Sequence, residues 1–193
     1  MAGQDHYVLS AGHVLTPYNR LAVGDAVIQP GKSDRGKPSD KVAELSHVIE
    51  LQFRDHGFPN LADAALARIT GKNCLPEDFD SLAPIAVERG IRRGSTVQMT
   101  GRTSGLSLGR TMDVSARIEM RYPRDAHSSG RVGFADVVLC TPFTKPGDSG
   151  ALVTTESGKA VGLIIGGSSK ASVFCKVGNV FDLLGIDAMR LNR

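Results

Sequence analysis

A chain of 193 residues, 41% hydrophobic and 22% charged, is long enough to bury a substantial core and lies in the ordinary range for folded domains. Its net charge of +3 is too modest to mark a nucleic-acid binder, and its densest basic segment, 89–93 with three arginines, reads as a solvated connector. No apolar run approaches the ~18 residues that a membrane span needs, so neither nucleic acid nor membrane is expected as a partner.

Alternating or β-branched runs bounded by Gly, Pro, Asn and Asp predict strands at 7–10, 26–29, 42–51, 64–69, 96–100, 112–120, 135–140, 151–154, 161–165 and 172–177. Residues 31–40 (GKSDRGKPSD) form a polar loop, and 122–131 read as a second, mobile one. Only the tail from 179 to about 192 carries a helical period, with Val180, Leu183, Leu184 and Met189 as its apolar face and Gly185 interrupting it. Glycine at 22 residues, beside only 5% aromatics, suits tight turns and close-packed strands. The pattern predicts an all-β barrel or sandwich. A stretch rich in Pro, Asp, Glu and Arg at 75–94 is a natural seam, dividing the chain into 1–85 and 86–193.

Three cysteines, Cys74, Cys140 and Cys175, give an odd count without a metal spacing such as CxxC. Cys140 and Cys175 lie in apolar runs and read as small buried hydrophobes. These features predict a reducing compartment, the cytoplasm, with no cofactor and no metal. Residues 1–6 are polar and lack the apolar region of a secretory signal.

Chemistry concentrates at Pro146-Gly147-Asp148-Ser149-Gly150, between two apolar runs. A serine hydroxyl attacks only when a base takes its proton. It also needs donors aimed at the developing oxyanion, which the backbone amides of Gly147 and Ser149 can supply in a tight turn. Pro146 has no N–H to offer. The competing reading is an ordinary hairpin turn. His13 is the candidate base: it ends Ser10-Ala11-Gly12-His13, where small residues let the chain turn sharply after a strand. His6, His47, His56 and His127 lack this setting and read as structural or solvated. Asp63 precedes the apolar run 64–67, and a polar residue entering a buried strand asks for a partner. Each signal alone has a structural reading, a strand-end histidine or a strand-start turn residue. Together, in the order His, Asp, Ser, they support one another.

The segments 8–14 (VLSAGHV), 63–66 (DAAL) and 147–150 (GDSG) resemble the three motif blocks of trypsin/chymotrypsin-like serine peptidases, with His13 and Asp63 50 residues apart and Asp63 and Ser149 86 apart. The runs 97–101 (VQMTG) and 162–167 (GLIIGG) are similar to that family's opening strand of the second barrel and to its substrate-pairing strand. A narrower likeness links 13–31 and 101–105 (GRTSG) to bacterial relatives of the plant narrow-leaf trypsin-like proteins, although turn chemistry common to many β-proteins also accounts for these stretches.

The resemblance implies two antiparallel β-barrels with the active site between them, an N-terminal barrel (1–85) carrying His13 and Asp63 and a C-terminal barrel (86–193) carrying Ser149, the oxyanion hole and the helix. It also places Phe143, Ile165, Gly167 and Ser172 around the primary specificity pocket. With no acid among them, a preference for small or apolar side chains is implied. The expected activity is peptide-bond hydrolysis on a peptide or protein substrate. The alternatives are a catalytically silent pseudo-peptidase that binds peptides, and an esterase or acyl transferase.

Two departures qualify the likeness. Only four strands precede the seam, so the first barrel looks N-terminally shortened, and its open edges predict a homo-oligomer or a partner chain completing it. Many relatives are switched on when a new N-terminus pairs with the Asp before the nucleophile. Here Asp148 holds that position but 1–6 offers no apolar terminus, so the hole must be set by another contact.

Overall fold

The computed structural model describes residues 5–16, 22–53, 57–71, 86–125 and 127–186. Residue His56, Cys74, Met189, most of the seam and the end of the predicted tail helix lie outside them.

The first lobe is β1 (Tyr7–Ser10), a one-turn helix α1 (Gly12–Leu15), β2 (Ala26–Ile28), β3 (Lys41–Val48) and β4 (Ala65–Ile69). Its strands form a four-stranded antiparallel sheet in the order β1-β4-β3-β2. Among the described residues this sheet is open, in keeping with the shortened first barrel expected from four strands. The polar loop 31–40 holds two short 3-10 turns, Lys32–Asp34 and Pro38–Asp40.

The second lobe is a closed six-stranded barrel of β5 (Thr96–Gly101), β6 (Gly105–Pro123), β7 (Ser129–Cys140), β8 (Leu152–Thr155), β9 (Ala160–Gly167) and β10 (Ser172–Lys176), in the order β10-β7-β6-β5-β8-β9. Closure leaves no free sheet edge.

All ten strands lie where alternation predicts them, but several bounds differ. Strand β3 stops at Val48 instead of 51. Strand β6 runs from Gly105 to Pro123, far beyond 112–120, because it makes a hairpin with β5 and a long ribbon with β7. The ribbon continues through Tyr122↔Gly130 and Pro123↔Ser129, so half of the predicted mobile loop 122–131 is paired strand. Backbone pairing carries polar residues there, which apolar alternation does not register.

The helix α2 (Val177–Leu184) begins two residues earlier than predicted and ends at Gly185 in the left-handed conformation, a common helix stop. Its buried face is Val177, Val180, Phe181 and Leu184, the i, i+3, i+4, i+7 stripe, while Leu183 is exposed.

The buried side chains fall into three groups. Val97, Met99, Val138, Val153, Ile164 and Phe174 fill the barrel. Leu15, Leu45, Ala43, Ala65 and Ala67 form a small cluster on the sheet. The largest group joins Leu51, Ala62 and Ala64 of the first lobe to Tyr122, Val132, Phe134 and Ile165 of the second. Buried Asn60 stitches the same seam: its side-chain amide donates to the Gln52 and Gly133 carbonyls (3.0 and 2.9 Å), and Ala135 N–H donates to its backbone oxygen (2.9 Å). The connector 86–94 is tied to the barrel through a Val87–Ala160 bridge and to α2 through an exposed Arg89–Asp182 ion pair at 3.1 Å. Among the described residues no helix is long and apolar enough to cross a membrane.

Candidate active site

Register brings His13 and Asp63 together. Strand β1 pairs antiparallel with β4 as Ser10↔Ala65, so continuing each chain past that pair sets Gly12 opposite Asp63. A methyl group on Gly12 would lie 2.6 Å from Asp63 Oδ1, so only glycine admits the carboxylate this close. The chain then turns into α1, held by Val14 N–H to the Ala11 carbonyl (3.1 Å) and the Thr16 hydroxyl to the Gly12 carbonyl (2.8 Å), and presents His13.

Asp63 is fully buried and accepts three hydrogen bonds. The His13 backbone N–H reaches Oδ1 at 3.1 Å, and His13 Nδ1 meets Oδ2 at 2.5 Å. The third donor, the Tyr122 hydroxyl, reaches the same Oδ2 at 2.9 Å. Three donors satisfy this buried carboxylate, so it is not left unpaired. The imidazole, 28% exposed, is fixed by its Nδ1 and leaves Nε2 as its second nitrogen.

Tyr122 was not foreseen as a site residue. Its ring lies edge-on to His13, with centroids 5.3 Å apart at 88°, and its side chain sits in the seam core. Burial, then the neighbouring Asp63 charge, pushes the phenol's pKa far up, so it remains a donor at any working pH. The signal was present as alternation: Ile118, Met120 and Tyr122 continue one face of β6 past the point where the predicted strand stops. Cys175 is also buried against Asp63 and Tyr122, and burial raises its thiol pKa strongly. Cys140 is buried and free, its thiol pushed up to about 12 by burial.

The turn 146–150 lies between β7 and β8. Gly147 and Gly150 have φ of 101° and 86°, the left-handed region that favours glycine. A methyl group on Gly150 would fall onto Ser10 Oγ and 3.0 Å from Ala11 N, so the residue after Ser149 packs directly on the segment that leads into His13. Within the turn, Asp148 N–H bonds the Lys145 carbonyl (3.1 Å) and Gly150 N–H the Ile164 carbonyl (2.8 Å). Among the described residues, the N–H groups of Gly147 and Ser149 have no partner, and no hydrogen bond joins Ser149 Oγ to His13.

Asp148 is buried and takes four donors from its own chain. Ser104 Oγ (2.6 Å), Lys145 N (2.7 Å), Thr103 N (2.8 Å) and Ser104 N (3.0 Å) all reach its carboxylate. Burial by itself would raise its pKa, but the bonds from Ser104, Lys145 and Thr103 outweigh it and hold the carboxyl below the usual range. The β5–β6 turn at 101–105 thus supplies the contact that fixes the loop before Ser149. Arg102 of the same turn pairs with Asp34 in the first lobe.

The four expected pocket residues are placed differently from one another. Phe143 is buried in the barrel core and Ile165 in the seam core. Gly167 is exposed and backs onto Thr144, where a methyl group would sit 2.5 Å from the hydroxyl. The buried Ser172 hydroxyl accepts the Phe143 and Thr144 N–H groups (2.9 and 3.1 Å) and lies 2.9 Å from Thr144 Oγ1. Gly167, Ser172 and Thr144 therefore meet, while the Phe143 and Ile165 side chains face two separate cores. His47 lies exposed on β3 against Ser46 Oγ, and His127 sits in the β6–β7 turn. Among the described residues no cluster of His, Cys, Asp or Glu could hold a metal ion.

The architecture is the chymotrypsin-like double-barrel fold, and the similar solved structures are serine proteases. A serine protease specific for glutamic acid superposes with a TM-score of 0.60 at 18% identity, covering 96% of this chain and 87% of that one. Chymotrypsin from Cellulomonas bogoriensis gives 0.58 at 18% identity, covering 92% and 82%. A Nocardiopsis protease gives 0.58 at 20% identity, covering 95% and 85%. No protein-family model matches the chain, and no curated protein matches its sequence.

Proposed function

We propose that the chain is a serine peptidase of trypsin-like type, with His13, Asp63 and Ser149 as its catalytic triad. The observation that carries this reading is the buried Asp63 carboxylate bonded to both the backbone N–H and Nδ1 of His13. A histidine oriented through Nδ1 has Nε2 left to act as a base. Packing of Gly150 on Ser10 and Ala11, and the unpartnered amides of Gly147 and Ser149, support the nucleophile and the oxyanion hole.

In the proposed reaction, Ser149 Oγ bonds to the peptide carbonyl carbon as its proton passes to His13 Nε2. The Gly147 and Ser149 amides hold the oxyanion. The proton then goes to the departing amine as the C–N bond breaks, and water, deprotonated by His13, releases the acyl group. Because Asp148 is satisfied within the chain, the loop needs no newly cut N-terminus to order it. Small or apolar side chains remain the preferred substrates, with Gly167 and Ser172 at the pocket. The likeness to bacterial relatives of narrow-leaf proteins rests, within this proposal, on 13–31 and 101–105 alone.

The test is intact-mass analysis after treatment with a fluorophosphonate. One adduct is expected on the wild type, and none on Ser149→Ala or His13→Ala. A folded wild type that takes no adduct overturns the reading. It would favour the peptide-binding alternative, to which the missing Ser149–His13 hydrogen bond already points.

A further inference from the structure

We infer that Tyr122 is a positioning residue for the His13–Asp63 pair, donated by the barrel to a pair carried on the other lobe. The inference rests on the peptidase reading for its consequence in rate, but the geometry behind it is independent of that reading. Asp63 Oδ2 accepts both His13 Nδ1 at 2.5 Å and the Tyr122 hydroxyl at 2.9 Å. The tyrosine therefore does two things at once. It fixes which carboxylate oxygen faces the imidazole, and it withdraws part of that oxygen's charge.

The ring adds a third constraint. Standing edge-on to His13 at 5.3 Å, it walls one side of the imidazole and limits rotation about χ2. On its far side it packs on Phe134, with ring centroids 5.8 Å apart, so its position is set by the seam core. His13 and Asp63 come from β1 and β4 and their flanks, whereas Tyr122 comes from the end of the β6–β7 ribbon. A shift of the sheet against the barrel would therefore break the hydroxyl bond first and turn the imidazole. The titratable groups facing this cluster are His13 and Asp63 themselves and Cys175 from β10, and the last stays a neutral thiol because it is buried.

The sign of the electrostatic effect follows. Removing the phenol hydroxyl leaves Asp63 with less of its charge drawn off, so the carboxylate stabilises the imidazolium more strongly. The acid limb of the pH–activity profile then moves to higher pH, because the base must lose its proton before it can act. A tyrosine that served only as core filling would change the amount of folded protein and leave the profile in place.

Three measurements test this on the full chain. The first is the pH dependence of fluorophosphonate labelling in the wild type, Tyr122→Phe and Phe181→Leu. Labelling of Tyr122→Phe is expected to be roughly tenfold slower, the low end of what a hydrogen bond to a charged group supplies, with its acid limb displaced upward. Phe181→Leu, on α2, disturbs the same core cluster without a ring contact to Tyr122 and is expected to keep the wild-type limb.

The second is the low-field proton resonance of His13 Nδ1–H, expected to shift in Tyr122→Phe and to stay in Phe181→Leu. The third needs no variant: in the wild type the buried Tyr122 hydroxyl proton is expected to exchange slowly and to show a cross-peak to His13 Nδ1–H. Unchanged labelling, or slower labelling with an unmoved acid limb and resonance, overturns the inference. A missing cross-peak overturns it if Tyr122→Phe does not fold. If the wild type takes no adduct, the peptidase reading falls, and the resonance and cross-peak still decide the role of Tyr122.

Discussion

In the first lobe the buried side chains are small: Ala43, Ala65 and Ala67 surround Leu15 and Leu45. The barrel and the seam instead bury Phe134, Phe174, Met99 and Ile164, all essentially inaccessible to solvent. The barrel is also closed, while the described sheet of the first lobe has two free edges. The two halves of the candidate site therefore stand on supports of unequal stiffness. Ser149 and its amides sit on a loop held by Asp148 to the β5–β6 turn and by Gly150 and Ala151 to β9. His13 and Asp63 sit on a light sheet whose position depends on the seam, through Asn60, Tyr122 and the Phe134 cluster. Precision of the pair is thus imposed from the barrel side, and the sheet supplies mainly register.

The sharpest way to test this division is to remove the charge without moving the support. Asp63→Asn keeps size and burial but cannot accept as strongly from Nδ1, and it admits the other tautomer. Fluorophosphonate labelling is expected to fall about 10⁴-fold, the loss that accompanies this change in an orienting carboxylate. Thermal unfolding should remain a single transition. Labelling within tenfold of wild type would show that the seam, and not the carboxylate, orients the imidazole.

How much of this arrangement could be read from the sequence follows from which contacts are local. Alternation located all ten strands, because each inward-facing side chain leaves its mark at period two. Ser10-Ala11-Gly12-His13 and the turn around Ser149 were legible because small residues and glycine announce a sharp turn wherever they occur. Tyr122 was not, because nothing local marks which inward-facing residue of a strand meets a carboxylate 59 residues away. Ser104 was hidden for a different reason. Its partner Asp148 lies 44 residues away, and no local pattern encodes a hydrogen bond across that span. The open first sheet, among the described residues, agrees with the shortened first barrel that the count of four strands predicts.

A second prediction probes the unequal cores. Phe134→Ala removes a fully buried ring from the seam and is expected to cost about 3–5 kcal/mol in chemical denaturation. Leu45→Ala, among alanines in the sheet, is expected near the low end of its class, about 2–3 kcal/mol, because an exposed sheet can relax around the gap. The seam cluster draws on both lobes, so both variants should lower one shared transition. Two transitions, with Leu45→Ala affecting only the first, would mean that the lobes fold separately and that the seam is weaker than its buried area implies.

The smallest effect concerns the loop around Ser149 and carries a pH signature. Ser104→Ala deletes one of four donors to the buried Asp148 carboxylate and is expected to cost about 1–3 kcal/mol at pH 7. The Asp148 pKa is lowered in the folded chain, since the bonds from Ser104, Lys145 and Thr103 overcome the opposing effect of burial. The stabilisation these bonds give is therefore complete above the ordinary carboxylate value near pH ~3.9. It is lost as pH falls through the lowered value, where the folded protein must take up the proton. Wild type and variant should accordingly differ by a constant amount from pH 7 down to about 5, then converge as Asp148 becomes protonated in both. Urea midpoints measured across that range give the answer. A gap that persists undiminished at the acid end would mean that Ser104 acts through packing alone, and that the loop before Ser149 is held by the backbone amides of Thr103, Ser104 and Lys145 without help from the hydroxyl.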